Sequence, residues 1–161
     1  MDQRTTHARS NRPVRLLTLA VLLLLVAQFL AGMVVNLFVN IPKNHPGSRP
    51  SEYFSGSLQS VNWALGGSGL PWLETHAGVG VLLFVAAVAL LLVAIRSGGP
   101  AQVIAATFGL AGIIAAGFNG ASFLDFNEDF SSMLMSGGFA LALTAYVLGL
   151  YAARSQNVAT P

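Results

Sequence analysis

Four long apolar runs, separated by shorter polar segments, dominate the chain. They lie at residues 14–39, 73–95, 101–118 and 131–152. A helix of about 20 apolar residues crosses the hydrocarbon core of a bilayer, and each run has about that length. Lipid offers the backbone no hydrogen-bond partner, so spanning segments of this kind form helices. The pattern therefore predicts an all-α fold, a transmembrane four-helix bundle.

The polar connection between the first two runs carries a second hydrophobic pattern. Phe54, Leu58, Val61 and Leu65 recur every three or four residues, which places them on one side of a helix. This spacing predicts a short amphipathic outer helix in the first long loop, lying on the membrane surface or over the bundle.

Small residues recur along the third run. Ala105, Gly109, Gly112 and Ala116 include two pairs with a spacing of four residues. Helices in lipid associate where small side chains let their backbones come close. We therefore expect this side of the third helix to contact another helix.

Basic residues predict how the bundle is oriented. Lys43 and Arg49 fall on one side of the runs, and six arginines fall on the other: Arg4, Arg9, Arg12, Arg15, Arg96 and Arg154. The positive-inside rule then predicts a multi-pass protein of the cell membrane, with cytoplasmic tails at 1–13 and 153–161. In this orientation the amphipathic helix belongs to the first extracytoplasmic loop.

Composition excludes several classes of function. The chain is 54% hydrophobic and 9% charged, whereas about a quarter of the residues in a soluble domain are charged. Its net charge of +2 reflects the arginines beside the runs, so we expect lipid, other membrane subunits or a second copy as partners, and no nucleic acid. The absence of cysteine excludes disulfides and thiolate metal sites. No charged residue lies at the centre of a run, which disfavours proton-coupled transport.

His76, near the start of the second run, is the most suggestive residue for a cofactor. A neutral imidazole at a membrane boundary can bind a metal, and Gly80 follows on the same helix face, where a flat macrocycle could approach. This arrangement suggests haem b, with His45, Met133 or Met135 as a second ligand. The alternative is an interfacial histidine that hydrogen-bonds a neighbouring loop.

His45 lies in a turn between two prolines, Pro42 and Pro46. A turn of this kind can hold a side chain in place for binding. The alternative is an ordinary solvated turn.

Acidic residues near the fourth run suggest a divalent metal. Asp125, Glu128 and Asp129 would crowd together on a helical turn, and Glu74 is a further candidate ligand. Glu74 and His76 are two residues apart, so within a helix they point to nearly opposite sides and cannot share an ion. The alternative for Glu128 and Asp129 is a role at the helix N-terminus, where negative charge is favourable.

Four segments, at 36–42, 45–47, 75–78 and 117–125, resemble a family of small bacterial four-span membrane proteins to which no activity is assigned. The resemblance covers most of the chain and implies an architecture only. The second run also resembles the helices of b-type cytochromes, in which small residues follow a histidine. The chain departs from that pattern because no run contains a second histidine.

Three hypotheses for the function follow. The first is a non-catalytic subunit or interaction partner of a membrane complex, since no nucleotide-binding or nucleophile motif is present. The second is a haem-binding or redox membrane module that uses His76. The third is an extracytoplasmic site for a metal or small ligand. The sequence alone assigns no reaction, cofactor or partner.

Overall fold

The computed structural model describes residues 12–127 and 129–155, without the side chains of 153–155. The predicted tail residues at 1–11 and 156–161 and the candidate ligand Glu128 lie outside the described residues. The described part folds into five helices: α1 Arg12–Phe38, α2 Tyr53–Gly66, α3 Pro71–Ser97, α4 Pro100–Phe126 and α5 Asp129–Ser155. It contains no strand, so the predicted all-α fold is confirmed.

The four long helices are the membrane-spanning part of the protein. Each has 27 residues, which corresponds to about 40 Å of helix and exceeds the roughly 30 Å of a hydrocarbon core. All four are long and apolar enough to cross a membrane. They form a bundle with neighbours in the order α1, α3, α4, α5, and α5 packs again on α1. The chain is therefore a multi-pass helical membrane protein.

Helices α3 and α4 are joined by a tight hairpin. The N–H of Gly98 donates to the carbonyl of Ala94, which ends α3. The N–H of Gly99 donates to Oε1 of Gln102, and Pro100 begins α4. Proline suits the first turn of a helix because its missing N–H would have no partner there. The short connection makes α3 and α4 neighbours in the bundle.

The most extensive helix contact joins α4 to α5. A Cβ atom added at Gly112 would lie 2.6 Å from the carbonyl oxygen of Gly138, and one at Gly138 would lie 2.6 Å from that of Gly112. The two backbones therefore touch directly, and only glycine fits at either position. The predicted contact face of the third run is confirmed, and its partner is α5.

Helix α4 extends beyond its predicted end. The segment from residue 119 was expected to connect the third and fourth runs, but it continues as helix to Phe126. Its polar residues are compatible with a helix because Nδ2 of Asn119 donates to the carbonyl of Ala115. As a result, Asp125 lies in the last turn of α4 and not in a loop before α5.

Helix α2 is present, and its small and its large side chains lie on different sides of the helix. It packs on the ends of α3 and α4 with its small side chains, since Gly56, Ser60 and Ala64 are buried. Phe54 and Leu58, from the predicted apolar stripe, are 72% and 65% exposed. The stripe therefore faces away from the bundle.

Candidate functional site

Most of the long-range polar contacts between side chains lie where residues 39–70, here called the cap, cover the end of α4. At the centre is Asp125, which is 2% exposed. Its Oδ1 accepts a hydrogen bond from Oγ of Ser60 at 2.6 Å, and its Oδ2 accepts one from Oγ of Ser57 at 2.5 Å. A buried carboxylate is costly unless its oxygens are hydrogen-bonded. The two serines meet this requirement and fix α2 over α4.

The loop before α2 covers the C-terminal carbonyls of α4. Nε2 of His45 lies 3.0 Å from the carbonyl oxygen of Leu124. The N–H of Arg49 donates to the carbonyl of Asp125 at 2.9 Å, and that of Asn127 donates to the carbonyl of Phe123 at 2.8 Å. The last carbonyls of a helix lack partners within the helix. Here a loop about 80 residues earlier in the chain supplies two of the partners.

His45 is held by contacts of its ring face and of both ring nitrogens. Its ring stacks on Trp63 with centroids 4.4 Å apart and an interplanar angle of 6°. Nδ1 lies 2.9 Å from the carbonyl oxygen of Pro46, so both ring nitrogens face carbonyl oxygens. A neutral imidazole donates to one of them, and a doubly protonated ring donates to both. The side chain of His45 is buried, although its neighbours Asn44 and Pro46 in the turn are exposed.

Two glycines allow the loop to lie directly on α2. Gly47 has a φ of +88°, and a Cβ atom there would lie 2.4 Å from the carbonyl oxygen of Gly56. A Cβ atom at Gly56 would lie 2.1 Å from Cβ of Pro50. At the start of α2, the hydroxyl of Tyr53 hydrogen-bonds Oγ of Ser122. The loop, α2 and α4 therefore form one packed unit.

A cavity of about 240 Å³ opens between the loop and the end of α4. Residues of the loop and of α4 supply apolar lining, and the polar lining comes from Lys43, His45, Arg49, Asp125 and Asn127. Arg49 has a φ of +50°, in the left-handed region that residues other than glycine seldom adopt. The cavity thus combines basic residues with a constrained backbone.

His76 lies away from this site, between α3 and α1. Nε2 of Gln28 lies 3.4 Å from Nε2 of His76, and the His76 ring packs on Gly32. A Cβ atom at Gly80 would lie 3.1 Å from Nε2 of Gln28. Gly80 shares a face with His76 as predicted, but the side chain of Gln28 covers that face. His45 is engaged in the cap, and no observed contact supports haem ligation by either histidine.

The predicted acidic ligands that the structure describes have different surroundings. Glu74 accepts hydrogen bonds from Oγ of Ser68 and from the N–H of Gly69, both at 3.1 Å. Because α3 begins at Pro71, Glu74 and His76 are both helical and face different neighbours, as expected. Asp125 is bonded to serines, and Asp129 is exposed in the first turn of α5. Among the described residues, no group of three or more His, Asp or Glu side chains could hold a metal ion.

Sequence reasoning missed the serines that bind Asp125. Ser60 lies in a series of small residues, Gly56, Ser60 and Ala64, with a spacing of four. That series indicates a face that packs closely on another element, and it was overlooked beside the larger apolar stripe. The pairing with Asp125 joins positions 65 and 68 residues apart, and no local pattern predicts it.

The cap combines the features expected of a functional site: a buried carboxylate, a held histidine and a cavity. The buried side chains of the four long helices are mainly small or apolar. Comparison of the chain with protein-family models, curated proteins and solved structures gave no match. Functional inference for this protein therefore depends on the geometry of the cap.

Proposed function

We propose that this protein is a non-catalytic subunit or interaction partner of a membrane complex, and that α2 contacts the partner. The observation that carries the proposal is the direction of the apolar stripe on α2. Phe54 and Leu58 are 72% and 65% exposed, while the small side chains of the helix face the bundle. Phe54 and Leu58 are thus available to another molecule.

The rigid attachment of α2 supports this role. Its position is fixed by two hydrogen bonds to buried Asp125 and by the close contact of Gly47 with Gly56. A surface that is already ordered loses less conformational entropy when it binds. A helix that only had to float at the membrane surface would not need a buried carboxylate to set its rotation.

Aromatic side chains extend the apolar stripe onto α4. The ring centroid of Tyr53 lies 5.4 Å from that of Phe118 and 6.3 Å from that of Phe126. Tyr53 also contacts Phe54 edge-on, with ring centroids 5.5 Å apart. Phe118 and Phe126 are 51% and 43% exposed. Rigid aromatic groups are enriched among residues that dominate binding energy at protein interfaces. This composition favours an apolar helix of another membrane subunit as the occupant.

Site-specific photo-crosslinking in native membranes tests the proposal. A benzophenone side chain replaces Leu58 on the stripe or, as the matched control, the exposed Gln59, which lies about 100° around the same helix. We expect a defined protein adduct from position 58 and a much weaker one from position 59. The same partner should co-purify with the wild type and be lost with Leu58→Ser but not with Gln59→Ser.

Two results would contradict the proposal. One is crosslinking of position 58 to lipid alone, which would make α2 an interfacial anchor. The other is native mass spectrometry in mild detergent that detects only monomer. An adduct between two copies of this chain would identify the partner as the protein itself.

A further inference from the structure

We infer that the cap cavity binds a phosphate-bearing anion, such as the headgroup of an anionic lipid. The first observation is the placement of basic residues. Between Arg15 and Arg96 the chain contains only two Lys or Arg residues, Lys43 and Arg49, and both line this one cavity. Two basic residues that line one concave site are suited to bind phosphate oxygens.

The backbone of Arg49 is the second observation. Its φ of +50° is one that glycine adopts without strain and that is strained for a larger residue. The conformation is held because the N–H of Arg49 donates to the carbonyl of Asp125 at 2.9 Å. The chain uses glycine two positions earlier, at Gly47, where φ is also positive. An arginine at position 49 is therefore explained by its side chain and not by its backbone.

Groups that repel an anion have hydrogen-bond partners within the protein, which reduce the repulsion but do not remove the charge of Asp125. Asp125 lines the cavity, and each of its carboxylate oxygens accepts a hydrogen bond from a serine hydroxyl of α2. The carbonyls of Leu124 and Asp125, which form the negative end of the α4 dipole, face Nε2 of His45 and the N–H of Arg49. The lining therefore holds two basic side chains, Lys43 and Arg49, against the one carboxylate of Asp125, and its net charge is positive.

Size and apolar lining favour the headgroup of an amphiphile. A volume of about 240 Å³ is smaller than the roughly 300–1,000 Å³ of pockets for drug-sized ligands. Ile41, Leu124 and Phe126 line the apolar side, close to the ends of α1 and α4. Those helices end where a spanning segment meets the headgroup region. A lipid phosphate at this depth could contact the basic residues while its glycerol meets the apolar lining.

The test measures the thermal stability of the purified full-length protein in mild detergent with added probes. The probes are phosphatidylglycerol, zwitterionic phosphatidylcholine, glycerol phosphate and inorganic phosphate. We expect phosphatidylglycerol to raise the Tm by about 4 °C more than phosphatidylcholine. Stabilisation by glycerol phosphate or inorganic phosphate as well would identify a free phosphate compound as the source. No preference for any phosphate-bearing anion over phosphatidylcholine would overturn the inference.

Variants connect the effect to the cavity. Arg49→Asn removes the charge and keeps a residue that tolerates positive φ, and Lys43→Gln removes the second charge. The control is Arg96→Gln, which removes an exposed arginine at the opposite end of the bundle. We expect at least tenfold weaker lipid retention in native mass spectrometry for the double variant, and no change for the control. Equal retention by the double variant and the wild type would contradict the assignment. If the double variant does not fold, lipid retention by the two single variants and the probe series on the wild type test the assignment instead.

Discussion

The α4–α5 contact and the cap both hold a helix against the bundle, and they use opposite kinds of side chain. Along α4–α5 the two backbones touch each other, because Gly112 and Gly138 place no side chain between them. In the cap a buried carboxylate, Asp125, holds α2 through two serine hydroxyls. Lipid surrounds α4 and α5, so hydrophobic burial contributes little to their association. Close packing of the two helices stabilises the contact instead.

The difference shows what each contact can specify. Backbone packing fixes how near two long helices come and is spread over several turns. The hydrogen bonds of the cap act at one point, and they fix the rotation of α2 and hence the direction of its apolar stripe. We therefore expect damage to the α4–α5 contact to unfold the bundle, and damage at Asp125 to release the cap while the spans remain folded.

The largest effect is expected from Gly138→Val. Its Cβ would lie 2.6 Å from the carbonyl oxygen of Gly112 and 2.8 Å from the backbone nitrogen of Ala116, so the helices must separate. We expect a loss of about 3 kcal/mol in the free energy of unfolding, measured in SDS by circular dichroism. The control is the adjacent Gly137→Val, where nothing lies within 4 Å of an added Cβ. Similar losses in both variants would show that helix propensity, not contact, is being measured.

Asp125→Ala should have the next largest effect. It leaves the hydroxyls of Ser57 and Ser60 without their carboxylate, and we expect a loss of about 2 kcal/mol that is confined to the cap. Limited proteolysis should then cut between residues 39 and 70 while the long helices stay protected. Asp129→Asn, which changes an exposed carboxylate, serves as the control and should show the same cleavage pattern as the wild type. Equal protection of the cap in Asp125→Ala would refute the anchoring role.

Replacing tyrosine by phenylalanine should act in opposite directions in the two regions. Tyr146 packs on Gly109 of α4, and its buried hydroxyl has no hydrogen-bond partner in the described part of the chain. Tyr146→Phe should therefore stabilise the protein by about 1 kcal/mol. Tyr53→Phe removes the hydrogen bond to Ser122 and should destabilise it by about 1 kcal/mol. Thermal unfolding checks both, and a shared sign would contradict the prediction.

The smallest effect concerns the start of α2 and depends on pH. The N–H groups of Ser55 and Phe54 donate to the carboxylate of Glu52, which lowers its pKa below the ordinary value. Because the folded-state pKa is depressed, this contribution is present above the unfolded pKa and is lost as the pH falls through the folded one. The protection of the amides at 53–56, measured relative to the intrinsic exchange rate at each pH, should therefore fall in that acidic window. Glu52→Gln should abolish this pH-dependent loss of protection, and an unchanged protection profile would exclude Glu52 as its source.

Several parts of this fold could be predicted from the sequence because their causes are local. Run length predicted the four spans, and the four-residue spacing of the small pairs Ala105/Gly109 and Gly112/Ala116 predicted a contact face on α4. The length of α4 was underestimated because Asn119 and Ser122 suggest a loop when taken alone. Their polar groups are satisfied by the carbonyl of Ala115 and by Tyr53, and the second of these partners is distant in sequence.

The candidate site was located only in part. Asp125 and His45 were singled out by residue type and position, but their predicted chemistry was metal or haem binding. Their observed contacts are with Ser57, Ser60 and Leu124, which lie at least 65 residues away along the chain. Such pairings depend on how α2 is placed over α4, and no periodicity in the sequence encodes that placement.

The central claim is that buried Asp125 anchors α2 and so sets the direction of its apolar stripe. Hydrogen–deuterium exchange of the α2 amides in wild type and in Asp125→Ala tests it most directly. The account predicts at least tenfold faster exchange across α2 in the variant, as a loss of about 1.4 kcal/mol or more requires, with the spans unchanged. Identical exchange of α2 in the two proteins would contradict it.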